Sequence, residues 1–596
     1  MSNSPDKNTD GAVRVSIFSE GDLIKTAMFG LISVYVFKGV NKIGKATLVF
    51  SAGNMSKDDV PESEDETFAP GKKIRVEAGY AEDENPVFEG FVVNHSFIVE
   101  EGNEAQLQIE CRDFAFPTTM ARKNALFENK KDSDAIKEIL GKYSPLSVSI
   151  DTTKATFNEL VQYYATDWDF VLSRADANGL VVVTEAKKIS VKKPDVDASP
   201  QLKVTYGVDI IEFKGELSAA DQQGDVDAWA WSPKEQKIAK VSGKKPTLNK
   251  QGASNPDKLA EAVGVDKYGL QTGIADEQVL QSWADGQRLK AGLSRIQGYC
   301  KFQGSAKALH GGTLHIDGMG KRFNGTAYIG YVEHDIEDGN WITTVGFGLP
   351  FVNITENPDV GAPPASGLLP GIEGVHSGKV TKLDGDPSGE NKIQVEIPIL
   401  NGSNNKIWAR LSNFWSSNAY GAFFIPDVGD EVVLGFFNND PCQAVILGSL
   451  YSSKQKPPYE IAKGNKTRAI LTKSKIRMEF DEEKKILTLE TPGKNVIVVS
   501  DDAKGILLKD QNGNKIEMNS SGIIIESAKD LTLKGKMNVM IDAGTNLNGK
   551  AKANITLKGM KIEASADTEL TVKGTAKAEI SAAGQTVVKG AMVMIN

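Results

Sequence analysis

Apolar and polar residues alternate in short runs along most of this 596-residue chain. Alternation over four to eight residues, bounded by Gly, Pro, Asn or Asp, is typical of β-strands with one buried face. Between residues 13 and 120 the runs are VRVSIF, LISVYVF, KATLVF, KIRVEAGY, PVFEGFVVNHSFIV and AQLQIECRDF. We therefore predict a closed or nearly closed antiparallel barrel at residues 13–120.

Three segments have the apolar spacing of helices instead. DSDAIKEILGKY at 132–143 and EQVLQSWADGQRLKAGLSRIQ at 277–297 each place their apolar residues on one face. We also predict a helix that begins at residue 157, ends at Asn178-Gly179 and runs into a strand. Residues 121–200 are accordingly expected to be a helical connecting region, and the strand patterns of 201–350 predict a second barrel.

Two Pro-rich breaks divide the remainder of the chain. GAPPASGLLPG closes a predicted linker at 351–371, and SSKQKPPY leads into another at 454–465. Five or six short strand patterns lie between them, at 372–453, which fits a small barrel of the OB type. The polar start, residues 1–12, is expected to be a disordered tail.

The C-terminal segment is a repeat. Phrases such as DLTLKG, ELTVKG and QTVVKG recur, and pairs of apolar residues at i and i+2 follow each other about every eight residues from Leu531/Leu533 to Val593/Ile595. A single-chain β-helix needs roughly 20 residues per coil, so this unit is too short for one chain. We predict that three chains wind together at 466–596 as an intertwined triple-stranded β-helix, a homotrimeric needle with the apolar pairs on a shared axis.

Composition narrows the class of protein. The net charge of −9 consists of +6 from residue 461 onward and −15 before it, and the mildly basic repeat is best interpreted as a solvated outer face. The three cysteines have no C-x-x-C spacing, so they indicate neither a disulfide framework nor a zinc site. The N-terminus has no apolar signal region, and we expect a protein made in the cytoplasm without a signal peptide.

The block at 372–453 resembles the OB module of VgrG-type spike proteins. The resemblance rests on W-A-R at Trp408, Y-G-x-F-F-x-P from Tyr420 to Pro426, V-G-D-E-V around Gly429, Asp430 and Glu431, and the closing N-D-P…V-I-L-G-S-L-Y. It extends less specifically to the rest of residues 13–596, in the order hub, OB barrel and needle.

The resemblance implies the hub and spike of a contractile injection system: type VI secretion, a myophage tail or an extracellular injection particle. In that family two tube-like barrels per chain, in a homotrimer, face a hexameric Hcp-like tube, and baseplate proteins surround them. The needle crosses a target-cell envelope and carries a small PAAR-type tip protein, and the particle is ejected or released. The fold class is then mainly β, with two tube-like barrels, a few helices, an OB barrel and the trimeric needle.

The sequence contains few signals of a catalytic, metal-binding or nucleic-acid-binding site. DGDPSGEN opens like a calcium loop, but Val395 stands where a bidentate Glu is required, so we interpret it as a hairpin turn. His310 and His315 lack a third ligand of suitable spacing. Residues 371–460 hold 7 Lys plus Arg against 10 Asp plus Glu, which disfavours nucleic acid. We expect no enzyme activity, no cofactor and no metal.

The final strand pattern predicts a binding site for the tip protein. Apolar side chains alternate on both of its faces, at Met592, Val593, Met594 and Ile595 before the terminal Asn596. An exposed apolar end usually has a partner. The sequence ends inside a strand unit, which suggests a spike without an added effector. An alternative of another class is a secreted β-helix that binds or cleaves polysaccharide, but the near absence of aromatic residues after Tyr459 argues against sugar stacking.

Overall fold

Short antiparallel strands make up most of the molecule, as the alternating pattern predicts. The computed structural model describes residues 4–5, 11–24, 29–53, 59–101, 104–398, 400 and 405–595. Most of the predicted N-terminal tail lies outside these residues. The chain forms two compact units, Met1–Leu450 and Tyr451–Asn596.

The first unit begins with a strongly curved run of strands around one core. Its elements are β1 (Val13–Ser19), β2 (Asp22–Leu23), β3 (Gly30–Gly39), β4 (Lys45–Ser51), α1 (Pro61–Glu64), β5 (Lys73–Tyr80), β6 (Asp83–Val99) and β7 (Ala105–Arg112). In β4 the side chains of Ala46, Leu48 and Phe50 are buried while their neighbours are not. This alternation is the period of two expected for a strand with one buried face.

The next region has its own core of strands and helices. Its elements are β8 (Arg122–Lys131), α2 (Asp132–Leu140), β9 (Ser147–Ile150), β10 (Thr156–Thr166), α3 (Asp167–Ala177), β11 (Val181–Glu185) and β12 (Lys188–Lys192). The structure confirms the helix predicted at 132–143, although it ends three residues earlier. It thus contains five strands beside its two helices.

The helix predicted from residue 157 is wrong in its first ten residues. These residues form β10, which pairs antiparallel with β8 so that Leu160 faces Phe127. The helix starts only at Asp167, where the Thr166 hydroxyl accepts a hydrogen bond from the Asp169 amide and caps the first turn. Pairing with a distant strand therefore outweighs the local helical spacing.

A second group of strands follows and carries an inserted subdomain. Its elements are β13 (Leu202–Thr205), β14 (Ile210–Leu217), β15 (Asp225–Ser232), β16 (Lys237–Ser242), α4 (Pro256–Val263), β17 (Lys267–Gln271), α5 (Glu277–Ser294), β18 (Ile296–Gln303), β19 (Thr313–Asp317), β20 (Gly325–Glu337) and β21 (Asn340–Phe347). Strands β15 to β17 form a separate three-stranded sheet that packs on α5. The predicted helix at 277–297 is confirmed as α5.

The two groups of strands predicted as barrels share one sheet, and the core of the first group includes Ile336 and Trp341 from β20 and β21. Strand β20 pairs antiparallel with β3, with Val332 opposite Lys38 and His334 opposite Val36. This pairing joins both groups of strands into a 13-stranded sheet. The two groups of strands are therefore one continuous sheet within the chain.

The next element is a closed five-stranded barrel, again as predicted. Its strands are β22 (His376–Lys382), β23 (Ile393–Glu396), β24 (Lys406–Leu411), β25 (Glu431–Phe436) and β26 (Ala444–Ser449). The barrel core includes Val380, Val395 and Leu434, all almost fully buried. Strands β24 and β26 pair in parallel, and the other pairs are antiparallel.

The second unit is a meander of seven five-residue strands. They are β27 (Thr467–Leu471), β28 (Arg477–Asp481), β29 (Ile486–Glu490), β30 (Val496–Ser500), β31 (Gly505–Lys509), β32 (Lys515–Asn519) and β33 (Gly522–Glu526). Each strand pairs antiparallel with the next. Residues 527–595, as described, contain no strand. Across the described part of the chain, no helix has the length and apolar character needed to span a membrane.

A buried histidine lies where the two groups of the large sheet join. The imidazole of His334 on β20 is almost fully buried, and its Nδ1 accepts a hydrogen bond from Trp341 Nε1 at 3.3 Å. Thr343 Oγ1 lies 3.0 Å from the same nitrogen. Burial, with a smaller contribution from the Lys38 charge, lowers the pKa of His334 to about 3. The ring is therefore neutral in the folded protein.

This neutral ring predicts an acid-sensitive junction. Because the pKa of His334 is about 3 in the folded state and near 6.5 in the unfolded state, its stabilising contribution is complete above pH 6.5. It is lost as the pH falls towards 3, by about 1.4 kcal/mol per pH unit. In His334→Gln, which cannot titrate, hydrogen exchange of residues 325–347 should report a local opening free energy with a smaller slope between pH 6.5 and 4.

The matched control is His376→Gln in the separate five-stranded barrel, which should keep the slope of the parent protein. Other titrating groups act equally in parent and variant, so the difference isolates His334. An unchanged slope in His334→Gln would contradict this assignment of the proton.

Candidate functional site

The seven-stranded sheet presents two apolar ladders on one face. Directly paired residues such as Met478 and Leu489, or Ile497 and Leu508, continue from strand to strand. The first ladder contains Ile470, Met478, Leu489, Ile497, Leu508, Ile516 and Ile525, and the second contains Phe480, Leu487, Val499, Ile506, Met518 and Ile523. Members of the two ladders lie two residues apart in each strand, so they share a face. We call this surface the ladder face.

The ladder face is open to solvent in a single chain. Ile497 is 42% exposed in the middle of the first ladder, and Ile525, the last member of that ladder, is 53% exposed. A groove of about 880 Å³ follows the first ladder from Ile470 to Leu531. A continuous apolar surface of this extent is unusual on a soluble monomer and marks a contact with a partner.

The opposite face of the same sheet carries charged pairs. Arg477 Nη2 lies 2.5 Å from Glu490 Oε2, and Lys515 Nζ lies 3.2 Å from Glu526 Oε2. These residues alternate with those of the ladder face along the strands. The opposite face thus combines charged pairs with apolar residues such as Val496 and Leu507, whereas every strand residue of the ladder face except Arg468 is apolar.

The apolar pairs after Glu526 are exposed as well. Leu531 and Leu533, and later Ile555 and Leu557, have most of their side-chain surface in solvent. The sequence analysis predicts the spacing of these pairs. It does not predict that residues 467–526 form a series of antiparallel hairpins. The signal was present, because i and i+2 apolar pairs recur there about every ten residues between turns such as PGKN and QNGN.

The predicted tip residues are among the most exposed apolar side chains of the chain. Ile595 is 91% exposed, and Met592, Val593 and Met594 are exposed too. Asn596 lies outside the described residues. A binding role for this end stays a prediction.

Three of the OB motif residues form a turn that closes the five-stranded barrel. Gly429 has φ +98°, a left-handed conformation that favours glycine, and its amide donates to the Val380 carbonyl at 2.8 Å. The Asp430 carboxylate accepts from the Asp427 amide at 2.9 Å. Glu431 begins β25 opposite Lys379. This part of the motif therefore holds two strands together.

The other motif residues lie apart from that turn. Trp408 is half-buried on β24, opposite Gln394. Tyr420 is exposed in the loop between β24 and β25, and Pro426 is half-buried near the end of that loop. The structure thus brings Gly429, Asp430 and Glu431 together but separates them from Tyr420.

The residues that the sequence analysis considered as metal ligands lie in a turn, a loop and a strand. Asp386, in the predicted hairpin turn, accepts hydrogen bonds from the amides of Ser388, Glu390 and Lys392 within the connection from β22 to β23. His310 is buried in a loop, and His315 lies on β19. Among the described residues no cluster of three or more His, Cys, Asp or Glu side chains could hold a metal ion.

Three protein-family models match the chain in order. A model described as the Alg8 N-terminal domain matches residues 9–338, more than half of the chain. The type VI secretion system/phage-baseplate injector OB domain matches residues 376–451. The phage baseplate V C-terminal trimerisation domain matches residues 486–596, which include most of the ladder face.

Curated relatives carry spike names. The chain is 35% identical to the type VI secretion system spike protein VgrG5 of Pseudomonas aeruginosa over 115 residues, which are 18% of this chain and 14% of that protein. It is 22% identical to VgrG1c of the same organism over 399 residues, which are 63% of this chain and 54% of that protein. The chain thus spans about half the length of VgrG1c and a much smaller part of VgrG5.

Among solved structures, the 43 kDa tail protein of prophage MuSo2 from Shewanella oneidensis is 10% identical, with a TM-score of 0.43. That comparison covers 57% of this chain and 99% of the tail protein. From the family matches over three successive regions, the chain belongs to the family with an Alg8 N-terminal domain and is a VgrG-type spike protein.

Proposed function

We propose that three copies of this chain form the central hub and spike of a contractile injection machine. In this proposal the 13-stranded sheets of the trimer face a hexameric Hcp-like tube, and baseplate proteins surround them. The C-terminal repeats form an intertwined three-fold needle that crosses the envelope of a target cell. The spike is made in the cytoplasm and is then ejected or released with the particle.

The observation that carries this proposal is the uncovered ladder face. Thirteen apolar side chains lie on one face of a sheet whose own chain supplies no layer to cover them within the described residues. A ring of three copies closes when each ladder face turns towards a common axis, and a closed ring leaves no apolar face in water. The trimerisation domain matched over residues 486–596 supports three copies as the number.

The mechanism is mechanical rather than catalytic. In a trimer the charged face with Arg477, Glu490 and Lys515 would point outward, while the ladder faces stay dry. Separating one chain would expose all of its apolar rows together, so the barrier to unfolding is high and the needle has kinetic stability. Sheath contraction by other proteins would supply the force.

Leu489→Asp tests the ladder face. In a trimer this substitution places three carboxylates on a dry axis, at a cost of about 3 kcal/mol or more per copy. Light scattering should therefore show the variant as single chains, and the parent protein at three times that mass.

The matched control is Thr488→Asp, one residue earlier in β29 and on the opposite face. It adds the same charge to the same strand and should leave the trimer mass unchanged. Equal masses for both variants, or a stable folded monomer of the parent protein, would refute the trimer.

The exposed chain end is the proposed seat of a PAAR-type tip protein. Deleting residues 591–596 should abolish capture of such a protein in a pull-down and should leave the trimer mass intact, because the ladder face is untouched. Ile595→Asp should weaken capture in the same direction, since it places a charge on a side chain that is 91% exposed. Lys589→Ala is the control, because it changes a neighbouring exposed residue without altering the apolar end. Undiminished capture by the deletion variant would show that the tip protein binds elsewhere.

A further inference from the structure

The loop between β24 and β25 carries an unusual group of exposed aromatic side chains. We call residues 413–428 the aromatic loop. Phe423 is 87% exposed, and most of the other large apolar residues of the loop are more than half exposed. They are Phe414, Trp415, Tyr420, Phe424 and Val428.

Hydrogen bonds within the loop hold this surface in place. Asn413 Nδ2 donates to the Ala422 carbonyl at 2.6 Å, and the Ala422 amide donates to the Trp415 carbonyl at 2.9 Å. Between them, Gly421 has φ +142°, and a Cβ at this position would lie 2.8 Å from the Trp415 carbonyl oxygen. The loop is thus built around a glycine that no other residue replaces without strain.

The aromatic side chains are not missing pieces of the barrel core. That core is already closed by fully buried residues, including Val395, Val432 and Leu434. The segment 411–426 contains no Asp, Glu, Lys or Arg. A charge-free aromatic surface suits a dry protein contact better than a polyanion or a charged membrane surface.

We propose that the aromatic loop packs against the barrel of a neighbouring copy of this chain. This inference rests on the trimer of the proposed function and assigns it a second contact, outside the C-terminal repeats. Chain continuity favours another copy as the occupant, because only residues 450–466 connect the barrel to the first strand of the ladder face. Three barrels joined through that sheet are therefore held at high effective concentration.

The size of the surface fits such a contact. A large aromatic side chain buries roughly 150–250 Å² when fully covered, so the loop offers several hundred Å² per copy. Stable interfaces bury about 800 Å² on each partner. The loop supplies a large part of the area on one copy, and the receiving barrel supplies the area on the other copy. A contact in which the loop of each copy meets the next is head-to-tail, and it closes after three copies.

The test is the reactivity of a cysteine placed in the loop. In a Cys442→Ser background, which removes the exposed native thiol, Phe423→Cys is labelled with a maleimide in the full-length trimer. The control is Asp384→Cys, on an exposed turn of the same barrel. We expect the loop thiol to react at least roughly tenfold more slowly, because it is protected except during local opening. Leu489→Asp, as single chains, should remove this protection.

A second measurement leaves the loop intact. The fluorescence of Trp415, obtained by subtracting the spectrum of Trp415→Phe, should be shielded from acrylamide in the trimer and quenched in the Leu489→Asp protein. Protection at neither site in a protein of trimer mass would overturn the contact, as expected if a baseplate protein covers the loop instead. A parent protein of monomer mass would overturn the proposed function itself, so the two failures are distinguishable.

Discussion

The ladder face is an apolar surface that its own chain cannot bury, and the rest of the molecule depends on how that surface is covered. A five-residue strand has room for two inward side chains, so seven strands produce two continuous rows such as Ile470 to Ile525. Full burial of a large apolar side chain stabilises a protein by roughly 1.5–3 kcal/mol, and a half-exposed side chain in a single chain lacks part of that free energy. Summed over thirteen such residues, this free energy is comparable with the whole stability of a typical domain, which is about 5–15 kcal/mol. In the proposed trimer, association therefore supplies a large part of the stability of this unit.

The first unit obeys a different rule. Its cores are closed within one chain, and even polar groups such as His334 have partners in the interior. Such a unit can fold before it meets another copy. In the proposed trimer the second unit gains much of its stability from its partner copies, so the stability of the whole protein would depend on protomer concentration.

The local sequence pattern was sufficient to predict those elements whose stabilising contacts are close in sequence. Helices α2 and α5 and the small barrel were predicted near their observed bounds, because amphipathic spacing and hairpin turns are local signals. Strand β10 was predicted as helix because its pairing with β8 crosses about 30 residues, and no local pattern records that partner. The pairing of β3 with β20 spans almost 300 residues and was equally invisible. The candidate site followed the same division: the apolar pairs were readable, whereas the antiparallel order of residues 467–526 required the register.

The OB motif shows why a recognisable string of residues need not be a site of chemistry. Gly429 and Asp430 lie in a turn whose hydrogen bonds tie β25 to β22, so their role is to close the barrel. The Tyr420 segment of the same motif is exposed, and Gly421 beside it has a φ of +142°, which other residues adopt only with strain. One motif thus contains a segment that closes the barrel within a single chain and an exposed segment for which we propose a contact with a second copy. The same division separates the charged face of the seven-stranded sheet from its ladder face. In the proposed trimer, the barrel and the needle would therefore both turn towards a neighbouring copy the apolar surface that a single chain leaves exposed.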